Sequence, residues 1–206
     1  MQLNRPLATV TPTLDGDVLS VLARAEAAFT TNQVHRLVST ASEDGVRRVL
    51  QRLVAQGIVL LDRVGNAYTY RLNRDHLAAG HIIGLANLMT LFLARLTTQL
   101  EGWDPAPVYA AVFGSAARGE MSYGSDIDLL LVRPGGADDD VWDRQVQELA
   151  EAATRWTGND TRPLVLDEAD IGPGEAVLTD VLAHGLTVAG NHAWLARRVR
   201  PVKVRA

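Results

Sequence analysis

Residues 108–132 read VYAAVFGSAARGEMSYGSDIDLLLV, and this stretch constrains the fold more than any other part of the chain. An apolar run, Val108–Phe113, stops at Gly114-Ser115, and a small Ala-rich turn leads to Gly119. Ser125-Asp126-Ile127-Asp128 then runs into a second apolar segment, Leu129–Val132. Short, continuous apolar runs bounded by turn residues predict buried strands. Residues i and i+2 of a strand share a face, so the Asp126 and Asp128 carboxylates converge at the start of the second strand. Two anions held that close repel, and neither is cheaply buried unpaired, so the arrangement asks for a cation. Oxygen donors with no His or Cys nearby favour Mg²⁺ or Mn²⁺ over zinc. Gly114-Ser115 ends the neighbouring strand, where backbone N–H groups and a hydroxyl can hold phosphate oxygens. A phosphate cradle beside paired carboxylates suits metal-assisted phosphoryl or nucleotidyl transfer.

Composition removes the main alternatives. Cys is absent from all 206 residues, which excludes disulfide frameworks, Cys-based zinc sites, thiol catalysis and iron–sulfur clusters. Lys203 is the only lysine and has no Gly-rich loop before it, so a Walker A site is excluded. With 47% hydrophobic and 21% charged residues, the chain is globular rather than disordered. The first ten residues hold no apolar stretch long enough for a signal peptide, so a cytoplasmic protein is expected. Leu77–Ala94 lacks formal charges, but His81, Asn87, Thr90 and two glycines make it a poor membrane span. Ile82, Leu85, Met89, Phe92, Leu96 and Leu100 instead predict one long helix with a buried or dimer-forming stripe, and no membrane contact.

The net charge of -4 divides unevenly. Residues 1–80 carry 9 Arg against 7 acidic residues, whereas residues 81–206 carry 11 basic against 17 acidic. The front part reads as three helices and a hairpin. Asp17–Ala28 is the first helix; a second follows Thr30 or Thr31 and carries Val34, Leu37 and Val38. Ser39-Thr40-Ala41-Ser42 makes a turn, and Ser42 caps a third helix, Glu43–Gln56, closed by Gly57. Strands Ile58–Arg63 and Ala67–Leu72 flank a Val64-Gly65-Asn66 turn. This order resembles a winged helix-turn-helix over about residues 15–75. The resemblance implies DNA contact through Arg47, Arg48 and Arg52 on the third helix and Arg63 and Arg71 on the wing. The bland alternative is that Arg47, Arg48 and Arg52 solvate a helix and pair with Glu43 or Asp44.

The back part resembles the nucleotidyltransferase family that includes DNA polymerase beta, and especially its minimal bacterial members. The matching residues are Gly114, Ser115, Gly119, Ser125, Asp126 and Asp128. The resemblance implies that Asp126 and Asp128 are catalytic residues ligating Mg²⁺ or Mn²⁺. It further implies that Gly114, Ser115 and Ser125, with Arg118 in the same turn, bind the phosphates of an NTP. The implied fold is α+β: a winged helix-turn-helix domain over residues 1–78, then a linker helix, a small mixed sheet with helices and a basic tail over residues 79–206. Asp139 or Asp140 caps a helix to about Trp156 with Val141, Val146 and Leu149 on its inner side. Arg162–Leu166 reads as a strand, Glu175–His184 as a helix and Leu186–Ala189 as an edge strand.

Active members place a third carboxylate on a later strand. Here the strand Arg162–Leu166 has an apolar middle, leaving Asp160 before it or Asp167 after it, and Asp167 looks more like a helix cap. The five histidines show no ligand spacing, the four tryptophans are too scattered for a stacking platform, and Arg197–Arg205 holds five basic residues in nine. Three functions compete. The first is a metal-dependent transfer of a nucleoside monophosphate from an NTP to a hydroxyl on RNA or a protein. The second is a DNA-binding transcriptional regulator with a degenerate, nucleotide-sensing or assembly domain. The third is a drug-modifying enzyme. With little chain left for holding an acceptor, a homo-oligomer or a protein partner, including pairings of antitoxin type, is expected.

Overall fold

The computed structural model describes residues 1–38 and 41–200. The expected turn at Ser39-Thr40 and the basic tail beyond Arg200 lie outside the described residues. Two compact units divide between Met89 and Thr90, about ten residues past the expected boundary: Asn4–Met89 with Gln2, and the chain from Thr90 onward with Met1 and Leu3.

The first unit opens with a 3-10 turn, Pro6–Thr9, followed by α1 (Leu14–Arg24). The helix lies three residues earlier than its Ala/Leu pattern suggests, because Val18, Leu19 and Leu22 are its buried side and Ala25 is already extended. A two-residue strand, β1 (Phe29–Thr30), leads into α2 (Thr31–Val38). Thr30 caps α2 reciprocally: its hydroxyl accepts from Gln33 N, and its own N–H donates to Gln33 Oε1 at 2.7 Å. The third helix, α3 (Glu43–Ala55), is capped by Ser42 as expected, with Gly45 N donating to its hydroxyl. Strands β2 (Val59–Val64) and β3 (Ala67–Leu72) pair antiparallel around Gly65-Asn66, and β1 adds to the free edge of β3. Val18, Leu22, Val34, Val46 and Leu50, all fully buried, centre a core that reaches Val59, Tyr70 and Leu72 of the hairpin.

The long helix expected across residues 77–100 is instead two helices, α4 (Ala79–Ala86) and α5 (Leu88–Glu101). They break at Asn87, whose backbone N–H turns to the Ile83 and Gly84 carbonyls while its φ and ψ leave the helical range. The stripe persists only in parts, with Ile82 in α4 and Phe92, Leu96 and Leu100 in α5 buried. No single helix among the described residues is long and apolar enough to cross a membrane.

The second unit is built on a four-stranded mixed sheet. Its strands are β4 (Tyr109–Phe113), β5 (Ile127–Arg133), β6 (Thr161–Asp167) and β7 (Leu186–Gly190), in the order β6-β5-β4-β7. β5 and β6 run parallel; β4 is antiparallel to both β5 and β7. A single helical turn, α6 (Gly114–Arg118), follows β4, and α7 (Asp139–Thr157) crosses from β5 to β6. Asp138, rather than Asp139 or Asp140, caps α7 by accepting from Val141 N at 3.0 Å. That register buries Trp142 and leaves Val141 exposed, reversing the expected inner face at its start. Trp142 meets Trp103 edge to face at 5.2 Å, a packing role for both rings.

Helices α8 (Ala176–His184) and α9 (His192–Val199) cover one sheet face, burying Tyr109, Ala111, Leu130 and Val132 against Leu178, Val181 and Leu195. Leu129 and Leu131 point to the other face and are equally buried, so β5 is apolar without alternation. The architecture is mixed α+β.

Candidate functional site

Along the face of β5 covered by α8 and α9, the period-2 series runs Val132, Leu130, Asp128, Asp126. The parallel neighbour β6 runs Leu166, Leu164, Arg162, Asp160 in the same register, with Asp128 beside Arg162. One face therefore changes from apolar to fully charged where the two strands begin. This brings Asp126 and Asp128 together as expected, and adds Asp160 and Arg162.

Gly114 is why Asp128 fits. The glycine has φ +66°, and a Cβ there would stand 2.3 Å from Asp128 Oδ2. β4 pairs Phe113 with Asp128, so the chain turns over the carboxylate as it enters α6. Burial pushes the Asp128 carboxyl above the ordinary Asp value, and repulsion from Asp126 adds to this; Arg162 and Arg118 partly offset both.

Asp126 is ion-paired with Arg162 at 2.7 Å, with side-chain exposures of 31% and 63%. The same guanidinium reaches Asp160 at 3.1 Å. Asp160 also anchors the strand pair through its carbonyl, which accepts from Ile127 N at 2.8 Å. Asp167 is remote from this cluster. It lies five positions past Arg162, about 16 Å along the strand, on the opposite face. It pairs with Arg133 at 2.6 Å instead of capping the following 3-10 turn. That pairing holds its carboxyl below the usual Asp value.

Ser115 opens α6, and its carbonyl accepts from Gly119 and Glu120 N–H groups. Ser125 holds the turn before Asp126: its hydroxyl accepts from Ser122 N at 2.9 Å. Its carbonyl accepts from Asn159 Nδ2 at 2.7 Å. Tyr123, in that turn, is 99% exposed. Arg118 is held between Glu120 and Asp180, each at 2.9 Å, and Asp180 also meets His184 Nδ1 at 3.0 Å. Sequence reading missed Asn159 and Arg162. Arg162 was detectable, since it alternates with Asp160 before two apolar residues; Asn159 had no signal, because only the tertiary fold sets it under Ser125.

The donor set suits a hard cation that arrives with a triphosphate, because Mg²⁺ is commonly held by one or two carboxylates plus phosphate oxygens. A protein-only cage is not formed: no group of three His, Cys, Asp or Glu among the described residues could hold a metal. Asp160 shares the face of the pair and meets Arg162, which also holds Asp126.

Residues 99–173 match the nucleotidyltransferase domain. The matched segment contains β4, α6, β5, α7 and β6, hence the whole charged end of the sheet. Among solved structures, the chain is similar to a mutant MntA-HpeT toxin-antitoxin at 16% identity and a TM-score of 0.39, covering 51% of this chain and 81% of that one. It is similar to a toxin-antitoxin with AMP-PNP at 19% identity and a TM-score of 0.37, covering 51% and 81%. A third similarity is to a tri-AMPylated Shewanella oneidensis HEPN toxin in complex with MNT antitoxin, at 18% identity and a TM-score of 0.32, covering 50% and 74%. No curated protein matches the chain significantly.

The five arginines proposed for DNA are all exposed, and each is engaged locally. Arg47 pairs with Glu43 and Asp44, Arg52 with Asp15, and Arg71 with Asp62. Arg48 and Arg63 donate to the Asp44 and Gly65 carbonyls.

Proposed function

We propose that the unit from Thr90 onward transfers a nucleoside monophosphate from an NTP to an acceptor hydroxyl on RNA or a protein partner. The observation that supports this reading most is the convergence of Asp126 and Asp128 on one sheet face against the Gly114 turn, inside the matched segment. Asp126 and Asp128 would hold Mg²⁺ or Mn²⁺, which supplies charge neutralisation at the triphosphate. Gly114, Ser115, Ser125 and Arg118 bind the phosphates and orient the α-phosphorus towards the acceptor. The acceptor oxygen forms the new P–O bond, the bond to the β-phosphate breaks, pyrophosphate leaves, and the hydroxyl proton passes to solvent. The exposed Ser122–Gly124 segment leaves the approach open to a large acceptor. The acceptor is RNA, or a protein partner or second copy of the chain, and the reading is of a cytoplasmic reaction, where NTP is at hand.

A second reading is a DNA-binding regulator with a winged helix in the first unit and a degenerate, nucleotide-sensing domain in the second. Arg162 standing beside Asp128, where a third carboxylate would serve transfer, favours it. Incubation with each α-labelled NTP, Mg²⁺ or Mn²⁺, and host RNA or protein extract separates the two. Label transfer that disappears in the Asp126→Ala/Asp128→Ala variant supports the enzyme. Absence of transfer together with metal-independent DNA binding supports the regulator.

A further inference from the structure

Three carboxylates, Asp126, Asp128 and Asp160, occupy the charged end of the β5–β6 face, and a guanidinium lies among them. Arg162 touches Asp126 at 2.7 Å and Asp160 at 3.1 Å, and it stands in register with Asp128. Arginine stays charged at any working pH, and its planar fork addresses two carboxylates at once. The other nearby cation, Arg118, forms its ion pairs with Glu120 and Asp180, whereas Arg162 pairs directly with Asp126. The cation that a carboxylate pair requires is therefore supplied by the chain itself.

We propose that Arg162 is the resident counter-ion of the Asp126–Asp128 pair and selects the metal–triphosphate complex over free metal. A divalent ion arriving alone must displace the guanidinium from Asp126 while bringing no anion to receive it. An ion arriving with a triphosphate brings phosphate oxygens that pair with the released guanidinium. Arg162 is thus a positioning and selectivity residue, acting through Asp126. This rests on the reading of Asp126 and Asp128 as metal ligands.

The test is Mn²⁺ binding without nucleotide, followed by the electron paramagnetic resonance signal of free aquo-Mn²⁺. The proteins are the parent, Arg162→Gln, Arg162→Lys and Arg162→Gln/Asp126→Asn. Arg162→Gln is expected to bind Mn²⁺ about tenfold more tightly than the parent, since a neighbouring unit charge is removed at a partly exposed site. Arg162→Lys falls between, and adding Asp126→Asn abolishes the gain. Equal or weaker binding by Arg162→Gln, including undetectable binding by both proteins, overturns the proposal, as does a gain that survives Asp126→Asn. Arg162→Ala, checked by thermal melting, repeats the comparison should Arg162→Gln fold poorly. Lack of label transfer by the parent would sink the transferase reading but leave this affinity ratio standing.

Discussion

Asp128 Oδ2 lies so close over the Gly114 α-carbon that a methyl group there would stand 2.3 Å from it. The contact joins the turn after β4 to the carboxylate of β5, and it accounts for both the glycine and the partial burial of the acid. Gly119 gives the control, because its φ of +72° is similar but nothing lies within 4 Å of its Cβ position. Gly119→Ala should cost about 1–2 kcal/mol from left-handed strain alone. Gly114→Ala should cost more and also displace Asp128, so urea denaturation and NTP binding together distinguish the two variants.

Asp128→Asn should separate stability from function. Because the folded pKa is raised above the unfolded value, the folded state binds more protons through that window. Stability contributed by Asp128 therefore falls as pH rises from the ordinary Asp value through the folded value. Asn removes the half-buried charge at constant shape, so the melting temperature at pH 7 should equal or exceed that of the parent. NMP transfer should fall by about 100-fold or more, since a ligand of the charge-neutralising cation is lost.

The ion pair between Asp15 of α1 and Arg52 of α3 gives a pH signature of opposite sign. The Arg52 guanidinium holds the Asp15 carboxyl below its ordinary value. Its stabilisation is present above the unfolded pKa and is lost as pH falls through the lowered folded pKa. Asp15→Asn should reduce the urea midpoint by about a few tenths of a molar at pH 7. The difference from the parent should shrink towards pH 3. If the DNA reading holds, the same variant frees Arg52 and should strengthen duplex binding at low salt.

Tyr109 is fully buried at the centre of the sheet, and its hydroxyl bonds Thr187 Oγ1 of β7 at 2.9 Å. Tyr109→Phe should cost about 1 kcal/mol in urea denaturation. Trp142→Ala, which also removes the edge contact with Trp103, should cost about 3–5 kcal/mol.

Much of this protein is written in local pattern. Apolar runs at Val108–Phe113 and Leu129–Val132, the Ser42 cap and the Gly65-Asn66 turn follow from side-chain period and backbone preference, which neighbours in sequence decide. The pairing of Asp126 with Asp128 belongs to the same class, since i and i+2 of one strand must share a face. Other features depend on which distant segments meet. The break at Asn87, the burial of Trp142 in place of Val141 and the support of Ser125 by Asn159 needed the packed fold. So did the placing of Arg162 beside Asp128, because it is set by the register of β6 against β5; the separation of Asp160 from Asp167, seven residues apart on one strand, follows from strand period alone. Sequence alone determined that two carboxylates would converge and would require a cation. Only the tertiary structure decided that a guanidinium from the adjacent strand meets that requirement, because strand register is fixed by long-range pairing.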